Sequence, residues 1–421
     1  MSEWTSIALE DLADDITVGF VGSMTQEYVE SGIPFLRSKN VEPYRINLDD
    51  LCYVSSEFHQ KIKKSALSPG DVVIVRTGKP GAAAIIPESF PVANCSDLVI
   101  VRPSPKLDRN FLIYYLNSIA VRHINSRLVG AVQQHFNIGA ARELKIHCPS
   151  IEEQQEIASV LTSLDRKIEN LRKQNETLEA IAQTLFKHWF VDFEFPKGDG
   201  KPYRSSGGEM VRSESGEIPA GWSIGTSGDL IYLQGGFAFK SQDFKDFGNH
   251  RILKIKNISG NVVDIQQTDF IADSTAKRVD SKFKVKSGDV LIAMTGAEVA
   301  KMGLVPTTNE AIWLNQRVGL FREVIPGARV FIYCLFTRES HQQLLRDRGS
   351  GSSAQPNISG NDIESIPLVK PIQSVLAIFA EVVEPLIRKK CDNLQQIQTL
   401  TKTRDVLLPK LMSGKLRITA S

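Results

Sequence analysis

No long apolar run, no marked excess of one charge and no closely paired cysteines occur in this 421-residue chain. Its apolar stretches are of the size of VVIV at 72–75 and LVIV at 98–101, far short of the roughly 18 residues a membrane-spanning helix needs. No membrane association is therefore expected. The opening MSEWTSIALEDLADD is acidic and has no apolar centre, so it is not expected to act as a signal peptide. The cysteines (Cys52, Cys95, Cys148, Cys334 and Cys391) form no CxxC pair and are odd in number, which points to reduced thiols and a cytoplasmic location. Lys and Arg total 50 against 48 Asp and Glu, a net charge of +2. Residues 1–150 carry 15 basic and 16 acidic side chains, and residues 222–371 carry 18 and 15. Composition thus announces no nucleic-acid binder, and any basic surface must be assembled by folding.

Catalytic signatures are missing too. There is no GxxxxGK[ST] phosphate loop, and Gly198-Asp199-Gly200 follows no strand pattern. No Pro-Pro-aromatic run of the kind that holds a flipped adenine is present. The histidines (His59, His123, His135, His147, His188, His250 and His341) show neither HxxH nor HExxH spacing, so no metal site is expected. Glu143-Leu144-Lys145 is half of a nuclease-like ExK pattern without its partner motif. No Ser or Cys stands in a nucleophile-elbow context. These absences favour a binding or scaffolding protein over an enzyme.

What is present is a duplication. GDVVIVRTG at 70–78 returns as GDVLIAMTG at 288–296. Trp4 matches Trp222, Gly19-Phe20 matches Gly236-Phe237, FLRSKNV at 35–41 matches ILKIKNI at 252–258, and Asn137-Ile138 matches Asn357-Ile358. A period this long means two copies of a domain rather than a solenoid. Both copies read as mixed α/β. The runs at 72–75 and 290–293 follow Gly-Asp turns and are β-branched or apolar, as buried strands are. Residues 99–101 and 318–321 are further strand candidates. Residues 111–124 and 330–345 have helical spacing, with their apolar side chains assigned to packing.

After Pro149 the pattern changes. Ile157, Leu161, Leu164, Ile168, Leu171, Asn175, Leu178, Ala182 and Leu185 recur at spacings of four and three, an unbroken heptad seam. Those 28 steps of helix are about 42 Å long. Asn175 is expected to fix the register of the seam at a cost in stability, so Asn175→Leu is expected to stabilise the helix pair while permitting slipped registers. The matching seam of the second copy is Phe379, Val383, Leu386, Lys390, Asn393, Ile397, Leu400, Arg404 and Leu407, with three polar members. Ile387 and Leu394 suggest a drift by one position, and Pro385 suggests a kink or a late start. Two such helices are most simply satisfied by packing on each other; separate docking of each on its own domain is the alternative. Between the copies, 12 of the 25 residues from 196 to 220 are Gly, Pro or Ser, which reads as an exposed linker. The expected segments are a recognition domain at 1–150, a helical spacer at 151–195, a linker at 196–221, a second domain at 222–371 and a second helical spacer at 372–421.

Basic and amide-rich loops recur at matched positions. KIKK (Lys61, Lys63, Lys64) precedes the first GDV strand, and KFKVK (Lys282, Lys284, Lys286) precedes the second. Each strand ends in a Thr-Gly loop: Arg76, Thr77 and Lys79 in one copy, Thr295 and Lys301 in the other. Glycines admit a phosphate close to the backbone and lysines neutralise it. The alternation of Lys282, Lys284 and Lys286 equally suits the wet face of an edge strand. Gln133, Gln134 and Asn137, and in the second copy Gln355 and Asn357, stand in loops whose amides can pair with adenine in the major groove or simply face solvent.

Taken together, LEAIAQTLFKHWFVDFEFP at 178–196, GKPYRSSGGEMV, GEIPAGW, the C-terminal LLPKLMSGKL and the twofold alternation of variable domain and helix resemble the specificity subunits of type I restriction–modification systems. The resemblance covers nearly the whole chain. It implies two target-recognition domains, each reading one half of a split double-stranded DNA site, related by a pseudo-two-fold. It implies an antiparallel helix pair that sets the unread spacer and docks two methyltransferase subunits. Restriction/translocase subunits would join the full complex. No cofactor is then expected in this chain; S-adenosylmethionine, ATP and Mg2+ would serve the partner subunits. The Thr-Gly loops differ between copies, so no base contact carries over. A modification-only system, a scaffold without DNA binding and a lone methyltransferase are the alternatives. DNA affinity with a salt slope excludes the scaffold, and cofactor binding by this chain alone would favour the methyltransferase.

Overall fold

The computed structural model describes residues 4–120, 136–349 and 356–418. The chain forms two compact units, Met1–Lys167 with Thr401–Ser421, and Ile168–Leu400.

In the first unit the GDVVIVRTG motif builds a central strand. Val72–Val75 is buried throughout and lies antiparallel between Ala83–Ile85 and Leu98–Pro103, with Ala13–Val18 completing a four-stranded sheet. Its side chains alternate between two cores. Val72 and Ile74 join the helix-backed cluster around Phe111 and Leu112, whereas Val73 and Val75 join a second cluster with Leu98 and Ile100. A strand covered on both faces reads as an unbroken apolar run. A five-stranded sheet follows the order Tyr28–Val29, Cys52–Val54, Ile33–Leu36, Ala93–Cys95, Ala66–Leu67.

The second unit repeats this order strand for strand. Ile231–Gly235, Val318–Glu323, Val290–Ala293 and Met302–Leu304 correspond to the four-stranded sheet, extended here by Asn261–Val263 and Ile258–Ser259. Phe244–Lys245, Asp269–Ile271, His250–Leu253, Ala311–Leu314 and Lys284–Val285 correspond to the five-stranded one. The duplicated nonapeptide is thus architectural. Its glycines (Gly70, Gly78, Gly288 and Gly296) all have left-handed backbone, φ +77° to +91°, which a side chain disfavours. Its aspartates close the entry turns: Asp71 accepts from the Ser68 N–H at 3.0 Å and Asp289 from the Lys286 N–H at 2.8 Å.

Two 40-residue helices, Ile151–Phe190 and Gln373–Met412, contribute to both units. Within the second unit they run antiparallel, as the pairs Asn175–Asn393 and Phe186–Phe379 require. Within the first unit the same sense is set by Asp165–Arg404 and Glu153–Arg417. Ile157, Leu161, Ile168, Leu171, Asn175 and Ala182 are buried; Leu164, Leu178 and Leu185 are half-buried. Beyond Ala182 the buried stripe passes through Phe186, Trp189 and Phe190 rather than Leu185.

The second helix corrects its expected seam. Val383 is followed by Ile387 rather than Leu386, and the buried face continues through Lys390, Leu394, Leu408 and Leu411. Leu386, Ile397, Leu400 and Leu407 are only half-buried. The drift is the mismatch between a straight helix of 3.6 residues per turn and a strict heptad. Each polar member of this seam has a partner on the first helix: Lys390 donates to Glu179, Asn393 to Asn175 and Arg404 to Asp165. Pro385 does not start the helix, which begins twelve residues earlier at Gln373.

Three further expectations change. The helix expected at 330–345 is two, Ala328–Phe336 and Glu339–Gly349. Thr337 ends the first by bonding back to the Tyr333 carbonyl at 2.7 Å, while the Gln183 amide takes the Cys334 carbonyl at 3.0 Å. The helix expected at 111–124 starts at Arg109 under an Asp108 cap and widens into a π turn at Leu116–Ala120; residues 121–124 lie outside those described. The expected linker is built. Met210–Ser213 and Gly216–Pro219 form a hairpin, Phe195 stacks between Tyr203 and Trp222 at 4.5 and 5.1 Å, and Ile218 is buried. Its glycines and serines serve turns, and its few apolar residues anchor it.

Candidate nucleic-acid interface

In each unit the same strand ends bring the same loops together. In the first unit, Ile33–Leu36 leads into a turn at Ser38–Asn40, and Val72–Val75 into the Arg76 loop. Ala93–Cys95 leads into Ser96-Asp97, and Ala13–Val18 into Gly19-Phe20. Ser38 donates its hydroxyl to the Asp97 carboxylate at 3.0 Å, Arg76 stands 4.0 Å from the same side chain, and the Phe20 N–H bonds the Cys95 carbonyl. In the second unit the equivalents are the turn Ile255–Asn257, the Met294 loop, Asn315–Arg317 and Gly236-Phe237. The Met294 N–H bonds the Arg317 carbonyl and the Phe237 N–H the Leu314 carbonyl. Gly236 is fixed by closeness: a Cβ there would lie 2.1 Å from the Asn315 carbonyl oxygen.

The repeated Lys-Asn of FLRSKNV and ILKIKNI divides its labour. Asn40 and Asn257 are buried and clamp the turn: each accepts from the backbone N–H three residues earlier at 3.0 Å, and each donates to a carbonyl of the following segment. The clamp presents Arg37 and Lys39 in one unit and Lys254 and Lys256 in the other. Lys39 pairs with Asp50 at 2.9 Å, and Arg37 donates to the Asp50 carbonyl. Lys254 and Lys256 share Asp269. Burial pushes the Asp269 carboxyl up, but the two ammonium groups hold it below its ordinary value. In the second unit two cations thus share one carboxylate, and in the first only Lys39 pairs with a carboxylate while Arg37 bonds a backbone carbonyl. Sequence reasoning used these stretches as repeat anchors and missed their cations; a basic pair flanking the same Asn turn in both copies was the available signal.

The sequence-predicted residues divide. Arg76, Thr77 and Lys79 lie in the first loop cluster; Arg76 is largely buried, and its Nε has no partner among the described residues. Thr295 lies in the second cluster, in a β-bridge with Asn357, and Lys301 pairs with Glu298. Asn137 caps the helix Ile138–Glu143, accepting from the Ala140 N–H at 2.9 Å, so that acceptor is already committed. The matched Asn-Ile pairs are out of register by two. Phe136 and Ile358 make the equivalent bonds, to the carbonyls of Arg76 and Met294, and Ser359 is the cap equivalent to Asn137. Gln133, Gln134 and Gln355 lie outside the described residues.

The basic runs do not join the Thr-Gly loops. Lys286 adjoins the entry turn of the strand Val290–Ala293, and Thr295 follows its exit, so the strand's four residues separate them by about 13 Å. Lys284 lies on the edge strand Lys284–Val285 with its ammonium 5.2 Å from the Trp313 ring, and Lys282 is 5.2 Å from Phe283. Of this run only Lys284 lies on the edge strand; Lys282 is in the turn Ser281–Phe283 and Lys286 in the entry turn of the next strand. Lys61 closes the helix Ser56–Lys61, and Lys63 and Lys64 occupy the turn before the edge strand Ala66–Leu67. Among the described residues no group of three or more His, Cys, Asp or Glu could hold a metal ion, and no helix is long and apolar enough to cross a membrane.

One sheet scaffold used twice, each copy presenting a polar loop face and followed by a long helix, defines a tandem recognition protein. Comparison with known proteins supplies the family. The model of the type I restriction modification DNA specificity domain matches residues 1–180 and again 219–401. The type I restriction enzyme MjaIX specificity subunit of Methanocaldococcus jannaschii is 27% identical over 99% of this chain and 94% of its own length. The HindI specificity subunit of Haemophilus influenzae is 25% identical over 65% of this chain and 69% of its own. The crystal structure of the type I restriction–modification S subunit from M. genitalium superposes with a TM-score of 0.61 at 16% identity, over 99% of this chain and 97% of that one, and so shares the fold. This chain belongs to the type I restriction–modification DNA specificity family.

Proposed function

We propose that this chain is the DNA-reading subunit of a type I restriction–modification complex, with each loop face reading one half of a bipartite double-stranded site. The observation that carries this is a shared scaffold with unlike readers. The strand order and the Asn-clamped turns repeat, whereas Arg76 and Lys79 are replaced by Met294 and Ala297, and Ser96-Asp97 by Asn315-Gln316-Arg317. Identical scaffolds with different loop side chains suit two different half-sites. The long helices serve as the ruler for the unread spacer and as the dock for two methyltransferase subunits. Adenine N6-methylation with S-adenosylmethionine, and translocation with ATP and Mg2+, belong to those subunits and to the restriction subunits. The setting is the cytoplasm, where the DNA is. No observation favours the modification-only alternative. Titration of the assembled complex against DNA carrying its site, at several salt concentrations, tests the proposal: binding with a log–log salt slope of several units supports it, and no DNA affinity refutes it.

A further inference from the structure

Tyr114 and Tyr333 stand 219 residues apart at the same place in the two copies, on the helices Arg109–Tyr115 and Ala328–Phe336. Both are buried, and a buried tyrosine hydroxyl needs a partner. In the first unit the Tyr114 hydroxyl donates to Asp165 Oδ2 at 2.5 Å, and the other oxygen of Asp165 accepts from Arg404 at 2.8 Å. Tyr44 packs on Tyr114, ring to ring at 5.4 Å, with the Arg404 guanidinium 5.8 Å from its own ring. In the second unit the Tyr333 hydroxyl donates to Glu179 Oε2 at 2.7 Å, and Lys390 donates to the same oxygen at 2.6 Å. The Lys390 ammonium also lies 2.9 Å from the Tyr333 hydroxyl.

The parts are the same in both units: a tyrosine from the recognition domain, a carboxylate from the first long helix and a cation from the second. The carboxylates are not copies of each other, since both lie on the first helix. Duplication alone would have placed one on each. The arrangement recurs although the residues supplying it changed from Asp and Arg to Glu and Lys. Stability alone does not explain it. A buried ion pair is often no more stabilising than apolar residues of the same volume, and its best-attested use is to fix register. Many surrounding contacts, such as Phe186 and Phe190 against Phe331, are apolar and non-directional, and the Gln183 amide adds a directional bond to the uncharged Cys334 carbonyl. A hydroxyl bound to a carboxylate is directional and charge-assisted.

We propose that Tyr114 and Tyr333 are positioning residues, each clamping its recognition domain to a cross-helix ion pair and so fixing the number of base pairs between the two half-sites. The proposal rests on the function given above. Burial, reinforced by the carboxylate, raises both hydroxyls far above their ordinary pKa, so both remain donors at any physiological pH.

The test expresses the full chain with its methyltransferase partners in a host and maps N6-methyladenine across the genome. Tyr114→Phe and Tyr333→Phe keep the rings and remove the hydroxyls. Each is expected to leave both half-site sequences intact and to raise methylation at sites with the spacer one base pair longer or shorter by about tenfold, the scale of one hydrogen bond to a charged group. Tyr115→Phe is the control, because among the described residues that hydroxyl bonds within its domain, to the Lys145 carbonyl and the His147 N–H. Should a Phe variant yield no folded complex, Glu179→Gln keeps the size and an acceptor and is expected to broaden the spacer in the same direction. An unchanged spacer in these variants, even with reduced thermal stability, overturns the proposal. A wild-type chain that directs no bipartite methylation refutes the function itself, and the clamp with it.

Discussion

Asn393 donates its side-chain amide to the Oδ1 of Asn175 at 3.0 Å, joining the two long helices by a hydrogen bond between buried side chains. This corrects the expectation for Asn175 alone. A single Asn175→Leu change leaves the amide of Asn393, whose Oδ1 already has no partner among the described residues, with its longer 3.4 Å bond to Gln174 Oε1. It should destabilise the chain by about 1–3 kcal/mol. The double change to leucine should recover that loss or exceed it while loosening the register. Chemical denaturation of the single and double variants measures both effects.

The Asn-clamped turns predict where salt dependence resides. Replacing Lys254 and Lys256 by glutamine should weaken DNA binding by the assembled complex and lower its log–log salt slope by about 1 for each phosphate no longer neutralised. Lys301→Gln, which removes a cation already paired with Glu298, should change the slope less. Binding titrations from low to moderate salt distinguish the two.

Burial raises the Asp289 carboxyl above its ordinary value against the opposing pull of the Lys286 N–H and the nearby arginines. The folded state then holds this proton more tightly than the unfolded state, so Asp289 makes stability fall as pH rises from the ordinary aspartate range through the higher folded value. Asp289→Asn keeps an acceptor for the Lys286 N–H and removes the charge. The stability difference between variant and wild type should therefore shift in the variant's favour as pH rises through that interval. Unfolding curves at stepped pH measure the difference.

The helices predict a ruler. One heptad deleted from the first long helix, with seven residues removed from the facing stretch of the second, should shorten the spacer and leave both half-sites unchanged. Altered half-site sequences would show that the helices do more than measure.

The fold was legible wherever one physical requirement dominates. VVIV at 72–75 and VLIA at 290–293 read as buried strands because nothing else suits an all-apolar run after a Gly-Asp turn. The heptad of the first helix was legible because its seam is regular. The second was harder: Lys390, Asn393 and Arg404 look like defects until their partners Glu179, Asn175 and Asp165 are known, and those pairings are long-range. The hairpin at 210–219 was hidden by glycine and serine, which suit tight turns as well as open linkers. At the candidate interface, the Thr-Gly loops were found through repetition. The cations Arg37, Lys39, Lys254 and Lys256 were passed over although a basic pair flanks the same Asn in both copies; only the backbone contacts of that buried Asn show that it holds their turn. Lys282, Lys284 and Lys286 precede their strand in the structure as in the sequence, so they lie at the end opposite the Thr-Gly loop.

The most direct measurement is single-molecule sequencing of DNA from a host carrying this chain with its methyltransferase partners, compared with the same host lacking only this chain. The account predicts N6-methyladenine at one bipartite motif, two unlike half-sites separated by a fixed spacer, present with the chain and lost without it. Methylation that does not depend on the chain, or that falls on a single continuous motif, would contradict it.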